Sequence, residues 1–174
     1  MTGAAFSIGQ VALATYLLDG ETLTLDSLPD GDLRQAYAYW RAQKGTKTFP
    51  SRHDISPEGM KPFLSKVMLI DVYHSPLNFI YRVFGTGIVT AHGKDFTGKS
   101  VRDLDPPAFA ELIWRQYSEV LGIGDAVAHR VRLFAGNQYI NYHRVTMPLS
   151  TDGKSIDMLL AVSIENRDFW KATH

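Results

Sequence analysis

Arg52, His53 and Asp54 stand side by side in "FPSRHDISPEGM", residues 49–60, framed by Pro50 and Pro57. An imidazole beside a carboxylate is material for acid–base catalysis, and a neighbouring guanidinium adds a grip for an anion. Adjacent loop residues rarely aim at one point, however, and no G-x-S-x-G motif supplies a nucleophile. The structural reading is that Asp54 caps the turn that follows while Arg52 pairs with a carboxylate. Arg52 and Asp54 are therefore expected to fix the loop, and no catalytic residue or metal ligand is assigned.

The remaining imidazoles carry the next candidates. The six histidines are His53, His74, His92, His129, His143 and His174. None pair at i, i+4 on a helix and no H-E-x-x-H occurs, which argues against a zinc enzyme. His129 and His143 fall on neighbouring strands, and there two readings stand: core histidines bonded to backbone or water, or donors lining a cavity. The glycines at 85, 87, 93 and 98 suggest a phosphate loop, but their spacing matches neither G-x-x-x-x-G-K-[ST] nor the dinucleotide register. "TGKS" shares with a P-loop only its lysine and serine. Tight turns account for these glycines better.

The elements that must hold these residues follow from periodicity. "DGDLRQAYAYWRAQKG" places Leu33, Ala36, Tyr37 and Trp40 at helical spacing, with Asp32 as N-cap and Gly45 as stop. "KVMLIDVYH" and "NFIYRVF", separated by "SPL", read as a hairpin. A second helix begins near Asp105 and Pro106, carries Phe109, Leu112, Ile113, Val120 and Leu121, and ends at Gly122 and Gly124. Three further strands, "AVAHRVRLF", "YINYHRVTMPL" and "SIDMLLAVSI", are joined by hairpin-type turns. Strands and helices gathered in this order predict an α+β domain, an antiparallel sheet with helices on one face.

Alternation along the last three strands gives an expected inside and outside. One face holds Val127, His129, Val131 and Leu133, then Asn141, His143, Val145 and Met147, then Ile156, Met158, Leu160 and Val162. Arg130, Arg132 and Arg144 mark the other as the outside. His129, Asn141 and His143 are thus expected to line the sheet interior near the helix around Trp114, as ligand-binding residues. Phe134, Ile140, Tyr142 and Leu159 fall on the outer face, and apolar groups in such number call for a cover. The apolar segment with Phe6, Val11, Leu13, Tyr16 and Leu17 is the expected cover, on its own sheet or on that of a homodimer partner, with the helix at 32–43 sharing the role.

Length, at 174 residues, supports a single domain with a sizeable core. Eighteen basic and eighteen acidic side chains cancel, so nucleic acid is not expected as a partner. The absence of cysteine excludes disulfides, thiolate metal sites and cysteine-linked chromophores, and fits a reducing compartment. The first residues, "MTGAAFSIGQVALATYLL", lack a cationic n-region and are interrupted at Gly9 and Gln10, so no signal peptide is expected. No stretch reaches the length of a membrane span, and a cytoplasmic location is expected.

"GTGIVTAHGKDFTGKSVRDL" resembles the middle of a PAS domain, where a glycine, an acidic residue and then "TGKS" precede the long helix. "WRAQKG" followed by "FPSRHDISP" and a strand resembles a bacterial PAS subfamily common in alphaproteobacteria. The likeness runs from about Leu33 to about Ile164. It implies a five-stranded antiparallel sheet with helices on its concave face, enclosing a small pocket, with an N-terminal helical extension. The corresponding division is residues 1–30 as extension, 31–166 as PAS domain and 167–174 as tail. It also implies that the "FPSRHDISP" segment leads into the first strand rather than forming an active site.

The resemblance implies a sensory or adaptor module that takes up a small ligand and signals through a protein partner. After Ile164 only "ENRDFWKATH" follows, so a stand-alone module is expected, with output through another protein or a change of oligomer. The cofactor is left unknown: flavin–cysteine adducts are excluded, whereas haem through His92, His129 or His143, a metabolite and a fatty acid all stay open. A ligand-free interaction scaffold is the alternative. An enzyme is the weakest reading, for want of a nucleophile, metal set or cofactor loop.

Overall fold

The computed structural model describes residues 18–135 and 138–166. Among them, six antiparallel strands form one sheet: β1 (Leu18–Leu23), β2 (Val67–His74), β3 (Leu77–Phe84), β4 (Val127–Ala135), β5 (Gln138–Leu149) and β6 (Met158–Asn166). Their spatial order is β1-β4-β5-β6-β2-β3. Three α-helices accompany them: α1 (Asp32–Lys44), α2 (Thr86–His92) and α3 (Pro107–Ile123). The α+β architecture is the expected one, with one strand more than expected and helices on both faces.

The extra strand comes from the segment expected as a helical extension. β1 reads LDGETL, with little apolar content to announce it. Its partner supplies the reason for pairing: Asp19 lies opposite Arg132 and Glu21 opposite Arg130. Both pairs close as ion pairs across the strands, the arrangement that favours antiparallel pairing.

α1 buries Leu33, Ala36 and Trp40, the stripe that its 3.6-residue period dictates. Gly31, not Asp32, occupies the N-cap; Asp32 opens the helix and pairs with Lys66. Gly45 ends it in a positive-φ conformation, φ 53°. The stripe packs with Val145, Met147, Leu149, Leu160 and Val162, which project from β5 and β6. On the opposite face, α3 presents Phe109, Ile113, Tyr117 and Val120 to Ile70, Phe79, Val131 and Leu159.

This two-sided burial corrects the expected inside and outside. In the register, His129 pairs with Arg144 and Arg130 with His143, and directly opposed residues share a face. His129 therefore faces α3 together with Tyr142 and Arg144, while Asn141 and His143 face the α1 side. Arg144, expected outside, is 2% exposed. Tyr142 and Leu159, also expected outside, belong to the α3-side core. The physical reason is that a sheet covered on both faces has no polar side for alternation to reveal. The side chains of Phe134 and Ile140, and the segment carrying Phe6, Val11, Leu13, Tyr16 and Leu17, lie outside the described residues.

Two irregularities shape the α3 side. The register of β2 against β3 shifts between Leu69 and Ile70, opposing Ile70 to Tyr81 and Met68 to Phe84. Tyr81 and Phe84, three apart and so on opposite faces of a regular strand, thereby come together with ring centroids 5.0 Å apart. Gly85 then turns the chain into α2, where a Cβ would stand 2.5 Å from the Ser65 carbonyl oxygen and 2.7 Å from that of Val67. Backbone cannot yield as a side-chain tip can, so only glycine fits.

Candidate functional site

A cleft of about 600 Å³ opens between the sheet and helices α2 and α3. Its floor is Met68, Tyr81, Phe84, Tyr142, Arg144 and Ser163, its walls Ile88, Ala91 and His92 of α2 with Phe109, Ile113 and Tyr117 of α3. Leu104 and Asp105 close one end, and Lys66 and Glu165 also lie on the lining. This volume lies in the range of pockets that hold small organic molecules.

Arg144 dominates its electrostatics. It is brought there by the alternation of β5, two residues after Tyr142 and directly opposite Ser163 of β6. Its Nη2 donates to Oε1 of Gln116, and its guanidinium lies 5.0 Å from the ring centre of Tyr117 and 5.9 Å from that of Tyr142. Among the described residues, no carboxylate stands within ion-pair distance of it. Its Nε and the Ser163 hydroxyl are buried without hydrogen-bond partners, and the Tyr117 hydroxyl, beside that of Tyr81, makes no bond of full geometry. Buried polar groups are ordinarily satisfied, and these three share one lining.

Burial disfavours the charged forms of Tyr81, Tyr142 and His92 on the lining. Burial, reinforced by the neighbouring Tyr117, pushes the Tyr81 hydroxyl well above its ordinary range, and burial does the same to Tyr142 against the pull of Arg144. The His92 ring lies 5.7 Å from Phe84 and 6.0 Å from Phe109, and burial between them lowers its pKa.

His129 stands behind Arg144 rather than in the cleft. Its Nε2 lies 2.8 Å from Oε2 of Glu119, whose other oxygen accepts from the Thr22 hydroxyl of β1 at 3.1 Å. A carboxylate only accepts, so the imidazole proton sits on Nε2. Nδ1 is buried with no partner, leaving a second proton nothing to bond. Burial first, and then the Arg144 charge, bring the His129 pKa down to about 4 despite the opposing Glu119.

None of the four residues expected to contact a ligand lines the cleft. Trp114 is half-buried, packs edge-on against Phe79 at 4.9 Å, and carries the Arg102 guanidinium over its ring at 3.9 Å. Asn141 and His143 lie on the opposite face. Of the three imidazoles raised as haem ligands, His92 alone is on the lining. Among the described residues, no group of three or more metal-ligating side chains occurs. Sequence reasoning missed Arg144, Tyr117 and Ser163; an arginine between His143 and Val145, sharing its strand face with Tyr142 and Thr146, was the available signal.

Arg52, His53 and Asp54 form a 3-10 turn away from the cleft. Asp54 Oδ2 accepts from the Ser51 amide and the Lys47 ammonium, each at 2.8 Å, and from the Ser51 hydroxyl at 3.1 Å. These bonds, Lys47's foremost, lower its pKa to about 2. Arg52 Nη1 donates to the Ile55 carbonyl at 2.8 Å, so its partner is backbone and not the expected carboxylate. His53 is exposed.

A family model described as "PAS domain" matches residues 30–160. None of the curated proteins searched matches the chain. Among solved structures, the chain is similar to the PAS domain of a protein from Colwellia psychrerythraea, with 13% identity and a TM-score of 0.46 over 64% of this chain and 96% of that one. It is similar to a LOV protein of Rhodobacter sphaeroides, with 11% identity and a TM-score of 0.47 over 83% of this chain and 72% of that one. An RNA-binding light-oxygen-voltage receptor matches with 13% identity and a TM-score of 0.49, covering 87% of this chain and 40% of the receptor.

Proposed function

The chain belongs to the PAS domain family, and from that premise we propose that it is a sensory module whose cleft takes up a small molecule and reports occupancy to a protein partner. The observation that carries this reading is the cleft itself, about 600 Å³ in volume and walled by α2 and α3. A ligand there touches both helices and the sheet at once, so its arrival changes how the helices pack. PAS domains pass such changes to a partner or an attached output domain.

The same proposal takes residues 31–166 as the PAS unit, 1–30 as its extension and 167–174 as its tail, with β1 of the extension built into the sheet. It includes a homodimer and a cytoplasmic location; none of the described helices is long and apolar enough to cross a membrane. It gives Arg52 and Asp54 the task of fixing the approach to β2. His129 and Trp114 become supports, behind Arg144 and Phe79, and ligand contact moves to the lining of the cleft. Catalysis has no part in it.

Mass spectrometry of the protein denatured directly from purification tests uptake. A small molecule is expected at up to one copy per chain, and Ser163→Phe, which fills the floor of the cleft, is expected to reduce it at least about tenfold. A molecule retained equally by the filled variant counts against this cleft.

A further inference from the structure

Arg144 is a buried cation on the cleft lining, and its hydrogen bond to Gln116 goes to a neutral acceptor. We propose that the cleft selects a singly charged oxyanion carried on an apolar body, such as an organic carboxylate, with Arg144 as its anchor and the Tyr117 and Ser163 hydroxyls as additional donors. The inference rests on the reading of the cleft as a ligand site and names the class of ligand.

A buried guanidinium is stable when its charge is balanced and its N–H groups are satisfied. Arg144 has neutral partners only, Gln116, the Tyr142 hydroxyl and two tyrosine rings, with Nε left over. The Ser163 hydroxyl on the same lining has no acceptor either, and the Tyr117 hydroxyl has only that of Tyr81 beside it. An oxyanion supplies both missing items, a negative charge and several lone pairs, and charge-assisted bonds of this kind are about twice as strong as neutral ones.

The rest of the lining limits the charge and shapes the body. Lys66 is engaged by Asp32, and the carboxylate of Asp105 stands on the same lining. One available cation beside that acid favours a monoanion over a dianionic phosphate. Met68, Phe84, Ile88, Phe109 and Ile113 require an apolar remainder, and the volume admits one of two or three rings or a medium-length chain.

A matched pair of dyes tests this. 1-Anilinonaphthalene-8-sulfonate and N-phenyl-1-naphthylamine share one apolar body, and only the first carries an anion. Fluorescence titration of the full chain is expected to show one site, with the sulfonate bound about 10- to 100-fold more tightly than the neutral dye. In Arg144→Met that ratio is expected to collapse towards one. Should Arg144→Met fail to fold, Tyr117→Phe and Ser163→Ala, each lacking one hydroxyl, are expected to lower the ratio several-fold. Equal affinities in the wild type, or a ratio unchanged in whichever of these variants fold, overturns the anion inference and leaves the ligand site standing. Failure of both dyes to bind overturns the ligand site as well.

Discussion

Trp40→Ala is expected to lower the unfolding free energy by about 3–5 kcal/mol, the range for emptying an aromatic site in a close-packed core. Trp40 is 1% exposed and is the largest side chain that α1 buries against the sheet. It packs in one cluster with Leu33 of its own helix and with Met147, Leu149 and Leu160, which two strands fix and which are therefore poorly able to collapse into the space. Its indole N–H donates to the Pro148 carbonyl at 3.0 Å, a buried bond whose loss strands an acceptor. Trp40→Phe retains much of the volume but not the bond, and about 1–2 kcal/mol is expected for it. Urea unfolding of the three proteins reads both numbers. A loss below about 1 kcal/mol in Trp40→Ala would show that α1 does not seal this face.

The second large effect is a pH dependence that originates at His129. Its pKa in the folded chain is about 4, against an ordinary 6.5, because burial and Arg144 oppose a second proton. The unfolded chain binds that proton first as pH falls, so the folded state is penalised on the acid side. The stability from His129 is complete above about pH 6.5 and is lost as pH drops towards 4. A shift of this size corresponds to something on the order of 3 kcal/mol. His129→Gln keeps an N–H for Glu119 and cannot be protonated. The wild type should therefore lose about that much more stability than His129→Gln between pH 7 and pH 4. His92 and His143, also lowered by burial, tilt both curves equally and cancel in the difference. Parallel curves would mean that His129 is not confined as the Glu119 and Arg144 geometry requires.

The elements were legible in the sequence where one periodicity dominated. α1 follows Leu33, Ala36 and Trp40; α3 follows Phe109 and Ile113; β2 and β3 follow their hairpin. The faces of β5 and β6 were not legible. Tyr142, Arg144, Val145 and Met147 are all buried, and the arginine among them marks the cleft rather than solvent. β1 escaped because its pairing is written in charge and not in hydrophobicity: Asp19 and Glu21 repeat at the two-residue spacing of Arg130 and Arg132. Phe84 was missed because the register shift beside Leu69 changes the face on which strand residues fall. For the loop at Arg52 and Asp54 the sequence suggested local bonding, and the Ser51 amide and the Ile55 carbonyl are the partners found.

The proposed ligand enters on the α3 side of the sheet, in the cleft beneath α2, and not on the α1 side. Methyl NMR of the full chain titrated with 1-anilinonaphthalene-8-sulfonate tests this most directly, because methyl groups populate both layers. The expected shifts concentrate on Met68, Ile88, Leu104 and Ile113, with Val145, Met147, Leu160 and Val162 little moved. Shifts concentrated on the second set, or spread evenly over both, would contradict the account.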